Sequence, residues 1–140
     1  MTTNSILDSY LQFRRALTAL RTKEARDVEF GQSQTMVLYR LAQSDATMGE
    51  LVEHAMTDKA AMSRTVSSLL KAGLVRRKAD PADRRVVRIE LTAKGRTKAR
   101  LATKIRANIG KALENSLSAK DRRTFVELMD QITAYLNAHS

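Results

Sequence analysis

The sequence predicts a mainly α-helical chain that carries one small β-hairpin. Three observations predict it. Apolar residues recur at helical spacing through most of the 140 residues. After Gly73 the period switches to alternation, and it turns helical again after Thr92. The charge is placed unevenly as well. Residues 1–55 hold 6 cations and 7 anions, residues 56–100 hold 13 and 4, and residues 101–140 hold 6 and 4. The net +10 therefore belongs mostly to the hairpin and the helices on either side of it. A polyanionic partner, nucleic acid first, explains that concentration better than a uniformly basic solvated surface.

Ser5 or Asn4 can cap a first helix, in which Ile6, Leu7, Tyr10, Leu11, Leu17 and Leu20 recur at helical spacing to about Lys23. The mixed-charge stretch Arg21 to Glu29 connects it to a second helix, roughly Gln32 to Gln43. Gly31 is a fair cap there, and Val37, Leu38, Leu41 and Ala42 point inward. Ser44-Asp45 is a turn. Thr47 and Glu50 are spaced as a capping box, each able to satisfy a backbone N–H of a short third helix. Met48, Leu51, Val52 and Ala55 give that helix one apolar face. Thr57 or Asp58 starts a fourth helix with Met62, Val66, Leu69 and Leu70 inward. Gly73 stands where a left-handed C-terminal cap is wanted. The outer face of this helix is Lys59, Ser63, Arg64, Ser67 and Lys71, small hydrogen-bonding and cationic side chains with nothing bulky among them.

Leu74 to Lys78 and Arg85 to Leu91 are short alternating runs, joined by Ala79-Asp80-Pro81-Ala82-Asp83-Arg84. Asp-Pro opens a turn, because proline fixes φ and pushes the residue before it to an extended conformation. Arg84 and Arg85 fall at or near the tip. Two short helices joined by a turn, then a hairpin with a basic tip, make a winged helix-turn-helix, which is a DNA-binding module.

Thr92 can cap a long helix to about Asn115, with Leu101, Ile105, Ile109 and Leu113 as its stripe. Ser118, with Asp121 three residues on, starts a last helix. Its Phe125, Leu128, Met129, Ile132, Tyr135 and Leu136 follow three-and-four spacing. A chain of this length cannot easily cover these stripes itself, so the terminal helices are expected to pack against a second copy. The alternative is a monomeric bundle folded over the module. Residues 31–95 are thus the DNA-binding region, and 1–30 with 96–140 the helical dimerisation region, in one structural domain.

Cysteine is absent, which removes disulfides, thiolate zinc sites and cysteine-based redox sensing. No apolar run approaches the roughly 20 residues that cross a bilayer, and the N-terminus lacks a signal-peptide pattern. The expected location is cytoplasmic, with no membrane partner. His54 and His139 lack metal-ligand spacing. Neither a nucleophile–base pairing nor a phosphate-binding glycine loop is visible, so no enzyme, metal or cofactor is expected.

The run Asp83-Arg84-Arg85-Val86-Val87-Arg88-Ile89-Glu90-Leu91-Thr92 resembles the wing signature of the MarR family of bacterial transcription regulators: Asp-x-Arg, five residues, then Leu-Thr. Leu69 to Arg77 resembles the family's passage from helix to strand, and Gly95 fits as well. The resemblance spans the chain in order of elements, with its specific residues between about 47 and 95. It implies a winged helix-turn-helix with N- and C-terminal dimerisation helices. It also implies palindromic operators, and release from DNA by small phenolic or carboxylate ligands. Phe30-Gly31 departs from the family's usual Leu-Thr ahead of the second helix, which weakens a cap and leaves the DNA contacts alone.

Lys59, Ala60, Ser63, Arg64 and Ser67 are the expected major-groove contacts, with Arg64 suited to guanine O6 and N7. The competing reading is a solvated polar face. The resemblance implies that Arg85 enters the minor groove while Asp83 buttresses its guanidinium, with Arg84 beside them. A narrow A·T-rich groove is strongly negative, which suits arginine. The competing reading is an ion pair that merely shapes the turn. Arg76, Arg77, Lys78 and Arg88 are phosphate or structural partners. Tyr10, Phe13, Arg14 and Arg15, with Tyr39, combine aromatic walls and cations for an organic anion, against plain core packing with surface arginines. The expected function is a sequence-specific, ligand-responsive repressor that binds double-stranded DNA as a homodimer. Its rivals are a sequence-nonspecific architectural DNA protein and a winged helix that binds another protein.

Overall fold

Most of the expected caps form. The computed structural model describes residues 5–26 and 28–140. In it α1 (Ile6–Glu24) starts at Ser5, whose Oγ accepts the Asp8 N–H at 3.4 Å. Asn4, the other candidate, lies outside the described residues. α2 (Gln32–Gln43) starts at Gly31 with no side-chain cap. A two-residue strand, β1 (Ala46–Thr47), leads into α3 (Met48–Ala55), where Thr47 Oγ1 accepts the Glu50 N–H at 3.2 Å. The capping box stays half made, because the Glu50 carboxylate turns to Arg40 and Arg88. Asp58 caps α4 (Lys59–Lys71), accepting the Ala61 N–H at 2.8 Å. Caps of this kind contribute about 1 kcal/mol each.

The wing is β2 (Val75–Ala79) and β3 (Val87–Leu91), antiparallel from Val75 opposite Leu91 to Ala79 opposite Val87. Both strands are shorter than the alternation suggested, since Leu74, Arg85 and Val86 fall outside them. The third strand was not expected. β1 pairs with the other edge of β3, Ala46 opposite Ile89 and Thr47 opposite Arg88, giving the order β1-β3-β2. Two residues are too few to show an alternating pattern, so Ser44-Asp45-Ala46 reads simply as a turn.

The chain divides after Arg106 into two compact units. In the first, Leu38, Leu51, Met62, Val66, Leu69 and Ile89 are almost fully buried and join α2, α3, α4 and β3 in one core. Burying each such side chain is worth about 1.5–3 kcal/mol. Phe30 belongs to this core. Ala42, expected inward, is exposed, because it sits on the flank of α2 away from Leu38 and Leu41.

α5 (Ala93–Asn115) shares only Ile105 between its expected stripe and its buried residues. Gly95, Ala99, Ala102 and Ile105 are its buried residues, whereas Leu101 is 40% exposed. Small residues let the helix backbone come close, and a search for large apolar side chains passes over them. The junction is held by one hydroxyl. Thr92 Oγ1 donates to the Gly73 carbonyl at 2.6 Å and accepts the Gly95 N–H at 3.0 Å. The Thr92 N–H donates to the Leu74 carbonyl at 3.0 Å. Gly73 itself has φ +73°, the left-handed conformation that closes α4.

The second unit holds the end of α5 and α6 (Ala119–Ala138). Ser118 Oγ accepts the Asp121 N–H at 3.1 Å, and Arg122 pairs with Glu114 at 2.9 Å. Neither α1 nor α6 has a buried residue.

Candidate nucleic-acid interface

α4 is anchored by Met62, Val66 and Leu69, which turns its other side outward. Lys59, Ala60, Arg64, Ser67 and Lys71 are exposed there, and Ser63 is half-buried. The turn from α3 into α4 passes through Met56, which has φ 52° and ψ 44° and a side chain in solvent. A left-handed non-glycine residue costs roughly 1–2 kcal/mol, and here it makes the tight turn that sets α4 against α3. Nothing in the sequence marks Met56 for that role.

The wing tip is shaped by carboxylates. Asp80 Oδ1 accepts the N–H groups of Ala82 and Asp83 at 2.8 and 3.2 Å, and the Asp80 N–H donates to the Val86 carbonyl at 2.9 Å. Asp83 holds Arg85 with both oxygens, Oδ1 to Nε at 3.1 Å and Oδ2 to Nη2 at 3.2 Å. Oδ1 also accepts the Arg85 N–H at 3.0 Å. The Arg85 guanidinium, then its backbone N–H, hold the Asp83 carboxyl below the ordinary 3.8. The Arg85 side chain is nonetheless 91% exposed. Arg84 is exposed beside it. Sequence-predicted Asp83, Arg84 and Arg85 therefore come together in one turn.

The outer face of the sheet carries an alternating charge ladder. Arg76 pairs with Glu90 at 2.7 Å, Glu90 with Lys78 at 3.0 Å, and Lys78 with Asp45 at 2.6 Å. Asp45 pairs with Arg88 at 2.8 Å, and Arg88 reaches Asp80 at 3.3 Å and Glu50 at 3.8 Å. Glu50 closes on Arg40 of α2 at 3.4 Å. Lys78 and then Arg88 lower the Asp45 pKa, and Arg76 and then Lys78 lower that of Glu90; Asp45 in turn raises that of Lys78. Lys78 and Arg88 stand opposite each other in register, a repulsive placement of like charges that Asp45 relieves. Arg76, Lys78 and Arg88 are thus structural cations. On α4 and the wing, the outward cations without an ion pair among the described residues are Lys59, Arg64, Lys71, Arg77 and Arg84.

Residues 30–86 match the MarR family. The regulator TcaR of Staphylococcus aureus is 28% identical over 139 residues, covering 96% of this chain and 91% of that one. The chain shares the fold of the Staphylococcus aureus MepR–DNA complex, with a TM-score of 0.85 at 15% identity over 95% of this chain and 99% of that one. It also shares the fold of Bordetella bronchiseptica BpsR, a protein whose DNA binding is regulated by 6-hydroxynicotinic acid, with a TM-score of 0.79 at 19% identity over 95% and 96%. These likenesses support a DNA-binding transcription regulator, and none of them is to an enzyme.

Of the four candidate effector residues Tyr10, Phe13, Arg14 and Tyr39, three enter cation–aromatic pairs. Arg14 lies over the Tyr10 ring at 5.9 Å within α1, where Phe13 is also exposed. Tyr39, on α2, is covered at 4.4 Å by Arg106 of α5, a partner the sequence did not suggest. A cleft of about 540 Å³ opens elsewhere, between the end of α2, β3 and the first half of α5, and none of the four lines it. The ladder carboxylates Asp45, Asp80 and Glu90 were also missed. Their signal was faint: opposite charges alternate only along β3, at Arg88 and Glu90, and Asp45 lies 43 residues from its partner Arg88.

Proposed function

We propose that this regulator is a ligand-responsive repressor that binds palindromic operators as a homodimer. α4 enters the major groove through Lys59, Ala60, Ser63, Arg64 and Ser67, and the wing enters the minor groove through Arg84 and Arg85 with Asp83 as buttress. The observation that carries this reading is the pairing of Asp83 with Arg85: a solvent-exposed guanidinium already oriented, at the end of a hairpin that also flanks an exposed cationic helix face. Residues 31–95 form the DNA-binding region, and 1–30 with 96–140 supply dimerisation. Supporting the dimer, α1 exposes Ile6, Leu7, Tyr10 and Phe13, while α6 exposes Phe125, Leu128, Met129, Ile132, Tyr135 and Leu136. A second copy would cover both faces. An organic anion, phenolic or carboxylate, acts at Tyr10, Phe13, Arg14 and Tyr39, as 6-hydroxynicotinic acid acts on BpsR. Among the described residues no helix is long and apolar enough to cross a membrane, and operator binding would place the protein in the cytoplasm.

Selecting bound sequences from a random duplex pool tests this. The expected result is a two-fold symmetric site, bound about 10³–10⁷-fold more tightly than random duplex at physiological salt. A pool that stays unselected would mean an architectural DNA protein instead.

A further inference from the structure

We propose that Arg88 is a positioning residue for the wing, acting on DNA only through Arg85. This rests on the wing reading given above and goes beyond it by naming what holds the tip in place. Arg88 lies inside β3, opposite Thr47 of β1 on one side and Lys78 of β2 on the other. Its guanidinium is bound on every nitrogen. Nε donates to Asp45 Oδ1 at 2.8 Å, Nη1 to Asp80 Oδ2 at 3.3 Å, and Nη2 to the Asp45 carbonyl at 3.3 Å. Glu50 Oε2 lies 3.8 Å from Nη2. The side chain is 21% exposed, so reaching a phosphate would require giving these partners up.

What matters is where the partners sit. Asp45 and Glu50 belong to the base of the module, beside β1 and on α3. Asp80 belongs to the tip. Its Oδ1 holds the N–H groups of Ala82 and Asp83, while its Oδ2 takes Arg88. Asp83 then holds Arg85. A continuous line of hydrogen bonds runs from the base through Arg88, Asp80 and Asp83 to the exposed guanidinium. Apart from this line, the tip is held by the short β2–β3 pairing and by two backbone hydrogen bonds, Asp80 N–H to the Val86 carbonyl and Val86 N–H to the Asp83 carbonyl, with β1 adding two residues at the other edge of β3. Lysine cannot replace the arginine here, because one compact ammonium cannot span two carboxylates and a carbonyl in fixed directions.

The test is a double-mutant cycle on an A·T-flanked operator found by the pool selection. Arg88→Gln is expected to weaken binding roughly tenfold in the otherwise natural protein, and less than about twofold when Arg85→Ala is already present. The central base preference should not change. Asp80→Asn keeps the acceptor for the turn's N–H groups but removes the charge facing Arg88. It should reproduce Arg88→Gln, and it keeps the test usable if Arg88→Gln fails to fold. Arg88→Lys should restore thermal stability more fully than it restores the flank preference, which a purely structural role would not separate. Equal losses from Arg88→Gln with and without Arg85 would overturn the proposal, since Arg88 would then contact DNA itself or act on the whole fold. So would an unchanged affinity for both Arg88→Gln and Asp80→Asn. If Arg85→Ala alone shows no flank-dependent loss, the wing reading fails, and the role of Arg88 fails with it.

Discussion

Gly95 and Leu74 touch backbone to backbone: a Cβ placed on Gly95 would overlap the carbonyl oxygen and carbon of Leu74. Leu74 begins the wing and Gly95 lies in the first turn of α5, so the two segments approach as closely as main chains can. Gly95→Ala must push them apart, and it should destabilise the protein by about 1–3 kcal/mol. Gly73→Ala meets no neighbour and suffers only from its left-handed φ, about 1–2 kcal/mol. Denaturant unfolding ranks the two; an inverted order would mean that the neck relaxes easily.

The two proposed readout elements should fail in different ways. Arg64→Ala should cost about 1–3 kcal/mol and relax preference at one position per half-site. Arg85→Ala should weaken binding most where the flank is A·T-rich, with the central preference intact. Asp83→Ala should be a milder version of it, because the guanidinium stays but loses its orientation. Binding measured on a panel of operators decides; uniform losses on every sequence would make both arginines phosphate contacts.

Binding should fall steeply with salt. A dimer touching on the order of 6–10 phosphates should lose roughly 10³–10⁵ in affinity between about 50 and 200 mM salt. Because Arg76, Lys78 and Arg88 are tied to carboxylates, their substitution should change the slope less than loss of Lys59 or Arg84. A titration series on each variant gives the slopes.

The intact protein should be a dimer at micromolar concentration. Changing Leu128 and Ile132 to glutamate puts charge on an exposed apolar face of α6, and should yield monomer or unfolded chain. Light scattering reads the mass, and a compact monomer of the natural protein would remove the basis for a two-fold operator.

Acid should loosen the wing. Asp45, Asp80, Asp83 and Glu90 all have pKa values held below their ordinary 3.8 and 4.5. The folded state therefore binds those protons more weakly than the unfolded chain. The stabilisation is complete above the ordinary values and is lost as pH falls through the lower folded ones, from about pH 4 downward. Thermal unfolding across that range should show the loss, and Asp45→Asn should blunt it. An unchanged acid profile for Asp45→Asn would mean that the ladder does not couple to folding.

The order of helices was legible because their apolar spacing, caps and breakers agree: Asp58, Gly73, Thr92 and Ser118 each act where the sequence put them. Asp83 and Arg85 were legible as a pair from the spacing of their signature. Contacts made by small or distant residues were hidden. Ala99 and Ala102 bury the start of α5 because they are small, which periodicity of large residues cannot reveal. Asp45 reaches Lys78 and Arg88 through a strand only two residues long. Without that strand, Arg76, Lys78 and Arg88 read equally as phosphate or structural partners, when all three hold the sheet.

The Thr92 hydroxyl has a consequence for engineering. By binding Gly73 on one side and Gly95 on the other, it brings the entry and exit of the wing to a single point. What lies between is an excursion whose ends are fixed by the body of the protein. Loop closure at such a neck changes slowly with length, about 0.6 kcal/mol per doubling. Residues 80–86 should therefore accept grafted turns from related regulators while α4 and α5 keep their places. The proposed minor-groove preference of one such regulator could then be carried to another as a cassette.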